Sequence, residues 1–199
     1  RVFAPEIEPF APPQERAQAW VKAIEEVCEK TNSPKVNLIA HSQAGIDARL
    51  LLAPSSVRVD TPIGMLRGLD RAEQIASLTT LSAPHEGVAL IDARSKSLFR
   101  NETVLRQLAW MANRLPWIFD FSIENIPDVL ESLSREYMMK YFNPHVWDTQ
   151  GVPCWTIAGD PGSVDNANLL FRDTYEEFFG IPREQGGGSN DGLVAVDSA

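Results

Sequence analysis

Three short, largely apolar runs recur along the chain: KVNLIA at 35–40, IASLTTLSA at 75–83 and VPCWTIAGD at 152–160. Such runs, bounded by turn residues, predict strands buried on both faces of a parallel sheet. Between 14 and 30 the period changes. Ala17, Trp20, Val21, Ile24, Val27 and Cys28 fall three and four apart, which predicts a helix that TNSP ends. QAGIDARLLLA, at 43–53, is helical by composition. Val2–Ala4 reads as a strand end, and PEIEPFAPP as a Pro-rich connection. Residues 54–70 are broken by glycine and proline and predict an irregular insertion. Residues 98–147 form a long, helical, aromatic-rich block, and EQGGGSNDGLVAVDSA reads as a glycine-rich loop entering a short apolar stretch.

The order strand, helix, strand, helical block, strand predicts an α/β architecture, a parallel sheet with helices on both faces. Residues 1–97 and 151–199 then belong to the core sheet, and 98–150 form a helical insertion between two of its strands. RVFAPEIEPF starts in the middle of an apolar segment, so the sequence reads as an excerpt from a longer protein.

Composition narrows the partners. A length of 199 residues is enough to bury a sizeable core. The net charge of −9 and pI near 4.8 argue against nucleic acid or an anionic membrane as partner, since both attract basic surfaces. No run of about 18 apolar residues is present to span a bilayer. Cys28 and Cys154 stand in unrelated contexts, give neither a disulfide framework nor a metal spacing, and are expected as small core residues. No cofactor is expected. GGGS at 186–189 is not a phosphate loop, because no lysine follows it.

Candidate chemistry begins at Ser42, between the strand 35–40 and the helix 43–53. Reactive groups of such sheets sit at the carboxyl ends of strands. A nucleophile elbow, G-x-S-x-G, needs small residues two before and two after the serine, where strand and helix backbones approach. Here those positions hold Ala40 and Ala44, with Gly45 one step on. In such a turn the Gln43 N–H points at a developing oxyanion. The competing reading makes Ser42 a helix N-cap, a position where serine is favoured. The pattern alone leaves both open.

Four segments carry a resemblance. KVNLIAHSQAGIDARLL resembles the nucleophile segment of bacterial triacylglycerol lipases and esterases of the α/β-hydrolase family; SLTTLSAPHEG resembles their next strand and its Pro-His-x-Gly turn. LESLSREYMMKYFN resembles a helix of their cap, and SNDGLVAVDS the loop of their triad aspartate. They occur in the family's order along the chain. Ala44 departs from the glycine usual there, which bears on the elbow's geometry.

The resemblance implies a lipase or esterase acting on lipid-like esters through an acyl-enzyme, with Ser42 as nucleophile, Asp191 as triad acid, a helical cap or lid at 98–150 and possible contact with a lipid interface. It also suggests secretion. The fold's chain order, Ser, Asp, His, puts the base after Asp191. No histidine lies in 192–199, so the base is expected beyond Ala199 and a second oxyanion donor before Arg1. A non-catalytic scaffold binding apolar ligands or a partner, or a serine acyltransferase, are the alternatives.

The other candidates are weighed against simpler roles. His41 leaves the elbow in another direction, and His85 follows a strand's carboxyl end; both are candidates for substrate binding, with His85 as base breaking the chain order. His145 reads as a loop histidine. Asp191 in NDG is also a strong turn signal; Asp92 and Asp197 are weaker candidate acids. Related lipases can carry a structural calcium, for which Asp165 and Asp173 lie in the right stretch, but no metal site is assigned. Aromatics from Phe99 to Trp147 are core residues or line a lid that excludes water, with Pro116 and Pro127 dividing its helices.

Overall fold

A computed structural model describes residues 1–8, 11–94, 126–147, 151–167 and 172–199. Five strands and five α-helices are named here: α1 (Pro13–Thr31), β1 (Val36–His41), α2 (Gln43–Leu52), β2 (Arg58–Thr61), β3 (Gly64–Arg67), β4 (Ile75–Leu81), α3 (Ala89–Arg94), α4 (Ile126–Ser132), β5 (Cys154–Ile157) and α5 (Arg172–Gly180). Short helical turns join them, among them Arg135–Tyr137, which runs into a π-helical turn at Met138–Phe142.

β1, β4 and β5 form a parallel sheet in the order β1-β4-β5, with Ala40 opposite Thr80 and Thr80 opposite Thr156. The three apolar runs of the sequence supply these three strands. Successive side chains of a strand alternate between faces. Leu38, Ala40, Ile75 and Leu78 pack with Ala48, Leu51 and Leu52 of α2 and Ile24 of α1. The opposite face presents Ile39, Trp155 and Ile157, 69%, 57% and 55% exposed.

Helix α1 forms where the three-and-four spacing predicts. Pro13 opens it, and Asn32, left-handed at φ 51°, closes it as Ser33 N–H bonds back to Cys28 O at 3.1 Å. Arg16 and Asp47 lock α1 to α2: Arg16 Nε donates to Asp47 Oδ2 at 2.9 Å, with the carboxylate fully buried. Burial pushes the Asp47 carboxyl up to about 6 against the pull of Arg16. The folded value exceeds the unfolded one, so between about pH 6 and pH 4 the native state takes up a proton that the unfolded chain does not. This group therefore adds stability as the pH falls through that window. Asp47→Asn keeps the shape of the side chain but has no proton to take up, so it should lack this gain. Urea unfolding should show the parent gaining stability relative to the variant from pH 6 to pH 4; a parent losing ground over that range would reverse the sign.

Three expectations change. Residues 54–70 contain an antiparallel hairpin, β2–β3, instead of irregular chain. Gly64 at φ 109° makes its turn, and Leu66 is buried against the core. Val2–Ala4 forms no strand: among the described residues it pairs with no other segment, and Val2 is 97% exposed. Cys154 is exposed instead of core, because it lies on β5, an outer strand of the described sheet, while Cys28 packs at the edge of the core; among the described residues neither forms a disulfide.

Most of the 98–150 insertion, with Phe99, Trp110, Pro116, Trp117, Phe119 and Phe121, lies outside the described residues. Of its described aromatics, Tyr137 and Phe142 are fully buried in the core and Trp147 is exposed. Among the described residues, no helix is long and apolar enough to cross a membrane.

Candidate active site

The carboxyl edge of the sheet gathers the chemistry. The main chain turns from β1 into α2 at Ser42, whose φ of 57° and ψ of −131° are strained for any residue with a side chain. Its N–H bonds to Leu81 O at 2.9 Å, pinning the turn above β4. The Ser42 hydroxyl makes no capping hydrogen bond to α2. The N-cap reading thus loses the interaction that would explain a serine here. What remains is a strained strand-to-helix turn presenting a hydroxyl at the edge of the sheet, with Gln43 as the first residue of α2.

Gly45 shows why this turn can close. A methyl group there would lie 2.5 Å from Ala83 Cβ and 3.2 Å from Thr80 Cγ2. The close approach of α2 to β4 therefore falls on Gly45. Ala44 points elsewhere, partly buried against the core cluster that includes Ala40 and Ala48. Alanine where the resemblance leads one to expect glycine is accommodated for that reason.

One strand across, Ser82 leaves β4 at φ 44°, and its N–H bonds to Ile157 O at 2.8 Å. Gly159 follows β5, and a methyl group there would sit 3.1 Å from Asp191 Cβ and 3.4 Å from Ser82 Oγ. Asp191 thus rests at the same edge, against the backbone leaving β5. Its Oδ1 accepts from Leu193 N at 2.9 Å and Val194 N at 2.8 Å. Its neighbour Asn190, fully buried, donates to Gly188 O and accepts from Gly192 N. The turn role foreseen for NDG is real, and it uses one oxygen of Asp191; the other, Oδ2, lies on the Gly159 side.

The remaining candidates scatter. His41 is exposed at the end of β1. His85 Nε2 lies 3.0 Å from Thr80 Oγ1, on the face of the sheet that α2 covers, beside a cavity of about 310 Å³ that Thr80, Cys154 and Asn143 also line. His145 Nδ1 donates to Tyr141 O at 2.9 Å in an exposed loop. Asp92 accepts the backbone N–H of Arg135 at 2.9 Å, with burial raising its carboxyl above the usual range. Asp197 pairs with Arg183, which holds its carboxyl low. Among the described residues, Asp165 and Asp173 join no cluster of three side chains able to hold a metal. Gly187 packs under Ile181 O, where a methyl group would come within 2.0 Å, so the glycine run is a tight structural loop. The sequence reading missed Ser82 and Gly159, although each stands at the carboxyl end of a predicted strand.

No family model matches the chain. Triacylglycerol lipase 2 of Saccharomyces cerevisiae is 28% identical over 213 residues, covering all of this chain and 52% of that protein. The chain thus spans about half the length of the curated relative it matches. Among solved structures, the mature lipase of Bacillus licheniformis aligns over 96% of this chain and 63% of its own, with a TM-score of 0.61 at 20% identity. The Staphylococcus hyicus lipase aligns over 94% and 66%, at 0.60 and 18%. A metagenomic carboxyl esterase aligns over 96% and 48%, at 0.62 and 17%. With its parallel sheet, its helices and these neighbours, the chain resembles the lipases and esterases and has the α/β-hydrolase fold.

Proposed function

We propose that this chain is the core of a serine-dependent carboxylic ester hydrolase acting on lipid-like esters. The observation that carries the reading is Ser42: a strained, uncapped serine at a strand-to-helix turn, on the same sheet edge as Asp191. Relatives named as lipases and a carboxyl esterase support it.

Ser42 Oγ attacks the ester carbonyl, and an imidazole takes its proton. Asp191 holds that imidazole through Oδ2 and stabilises the imidazolium. Ser42 stands above β1 and Asp191 beside the end of β5, two strand spacings or about 10 Å across the sheet. An imidazole with a hydrogen bond at each end bridges a gap of that order. The histidine follows Asp191 in the chain order of this fold. The Gln43 N–H, at the positive end of α2, faces the oxyanion. The imidazolium returns the proton to the departing alcohol, and water then releases the acid from the acyl-enzyme on Ser42. His41 and His85 keep the substrate-binding roles suggested by the resemblance.

A p-nitrophenyl alkylphosphonate tests this directly on the full-length protein. Nitrophenolate is expected in a burst of one equivalent per protein, with the phosphonyl adduct on the peptide containing Ser42. No adduct, or an adduct elsewhere, overturns the reading.

A further inference from the structure

The π-helical turn at Met138–Phe142 has a local consequence. Asn143 N–H bonds back five residues to Met138 O at 2.7 Å, so the turn holds one residue more than an α-turn. Each helical residue rotates the chain by about 100°, so removing that residue would swing the Asn143 side chain round the axis. With it in place, the Asn143 amide reaches two partners at once. Its Nδ2 donates to His85 O at 2.8 Å, and its Oδ1 accepts from Arg49 Nη1 at 2.9 Å.

Each partner leads to one end of the candidate site. Arg49 belongs to α2, seven residues past Ser42 on the same rigid helix. It also donates through Nη2 to Val146 O, and its guanidinium lies over the Phe142 ring, 5.0 Å from the centroid. His85 opens the loop that runs on to Glu86 and Gly87. There Ser198, almost fully buried, accepts from Glu86 N at 3.1 Å and donates to Gly87 O at 2.7 Å. Ser198 belongs to the segment folded back on Asp191 by the Asn190–Ala195 bridge and by Val196 N–H to Ser189 O at 2.7 Å.

We propose that this strut, from Arg49 through Asn143 and the 85–87 loop to Ser198, sets the spacing between Ser42 and Asp191, with Asn143 as its central positioning residue. The inference rests on the reading of Ser42 and Asp191 as catalytic. A strut of fixed hydrogen bonds suits the task, because a misplacement of about 1 Å can cost as much as a hundredfold in rate. The strut also reaches the sheet edge from the helical insertion, so residues far along the chain from either catalytic group help to place both.

The test uses the full-length protein with Asn143→Ala, Ser198→Ala and both together. Asn143→Asp serves beside them, since it keeps the oxygen for Arg49 and loses the donor to His85 O. Active sites are titrated with the p-nitrophenyl phosphonate, and hydrolysis of p-nitrophenyl butyrate is expressed per titrated site. Each single variant is expected to lower kcat about tenfold with KM within about twofold. The double variant should lose little more than the worse single one, because both break one strut. The acid limb of the kcat–pH profile should move, since the carboxylate–imidazole distance changes. A purely structural role would lower the number of titrated sites and leave kcat per site and its pH profile alone. Wild-type kcat per site in all variants, or fully multiplicative losses, overturns the strut while titration of Ser42 still stands. If Ser42 does not titrate in the parent protein, the catalytic reading fails first.

Discussion

Ser42→Ala is expected to abolish ester hydrolysis by the full-length protein while leaving its folding stability almost unchanged. The two halves of that result come from different parts of the structure. Losing a serine nucleophile costs about a million-fold in kcat in a serine hydrolase, because the rest of the triad is useless without it. The stability half follows from the turn. A serine N-cap replaced by alanine ordinarily costs about 1 kcal/mol. Ser42 makes no capping hydrogen bond, so removing its hydroxyl removes no such term. Alanine tolerates φ 57° and ψ −131° no better and no worse than serine does, so the strain is carried over unchanged. The helix-cap alternative makes the opposite pair of predictions: stability falls and hydrolysis persists. Hydrolysis of p-nitrophenyl esters beside urea denaturation of both proteins separates them, and activity surviving in Ser42→Ala refutes the mechanism.

That a cap and a nucleophile are distinguishable only in three dimensions shows where sequence reading stops. The strands were legible because β1, β4 and β5 each carry a short apolar run bounded by turn residues, although only one face of the described sheet is buried and Ile39, Trp155 and Ile157 are exposed, and α1 because its apolar stripe repeats at three and four. The proposed pairing of Ser42 with Asp191 comes from a motif order. Its geometric support was not legible: nothing in the letters of Gly159 says that a side chain there would meet Asp191. The β2–β3 hairpin was hidden by Pro62 and Gly64, which read as breaks and in fact shape the turn. Cys154 was misplaced because burial of a strand residue depends on whether another strand lies beside it, and β5 is an outer strand of the described sheet. Asn143 carried no signal at all, since its position depends on one extra residue in a helical turn.

Gly45→Val is expected to be the most damaging substitution in the elbow, although Gly45 is not in contact with substrate in the proposed mechanism. Helix propensity alone favours replacing a helical glycine with alanine, by about 1 kcal/mol. The packing says otherwise. The first carbon added at Gly45 already meets Ala83 Cβ at 2.5 Å, and that atom is fixed to the main chain and cannot swing aside. Helix α2 must shift off β4, disturbing Ile46, Leu50 and Leu51, all fully buried. Overpacking of a core costs about 1–3 kcal/mol, so Gly45→Ala should lose on balance up to about 2 kcal/mol. Valine adds two more methyl groups and should exceed 3 kcal/mol or prevent folding. The shift also lifts Ser42 and the Gln43 N–H together, so kcat should fall in Gly45→Ala even where the protein stays folded. Ala44→Gly is the sharper control, because it restores the residue usual in the resembling lipases. Since the close approach belongs to Gly45 and Ala44 packs against the core, this change should raise neither kcat nor stability, and should cost about 1 kcal/mol of helix stability. A gain in activity from Ala44→Gly, or a stable and fully active Gly45→Val, would show that the elbow closes on position 44 after all.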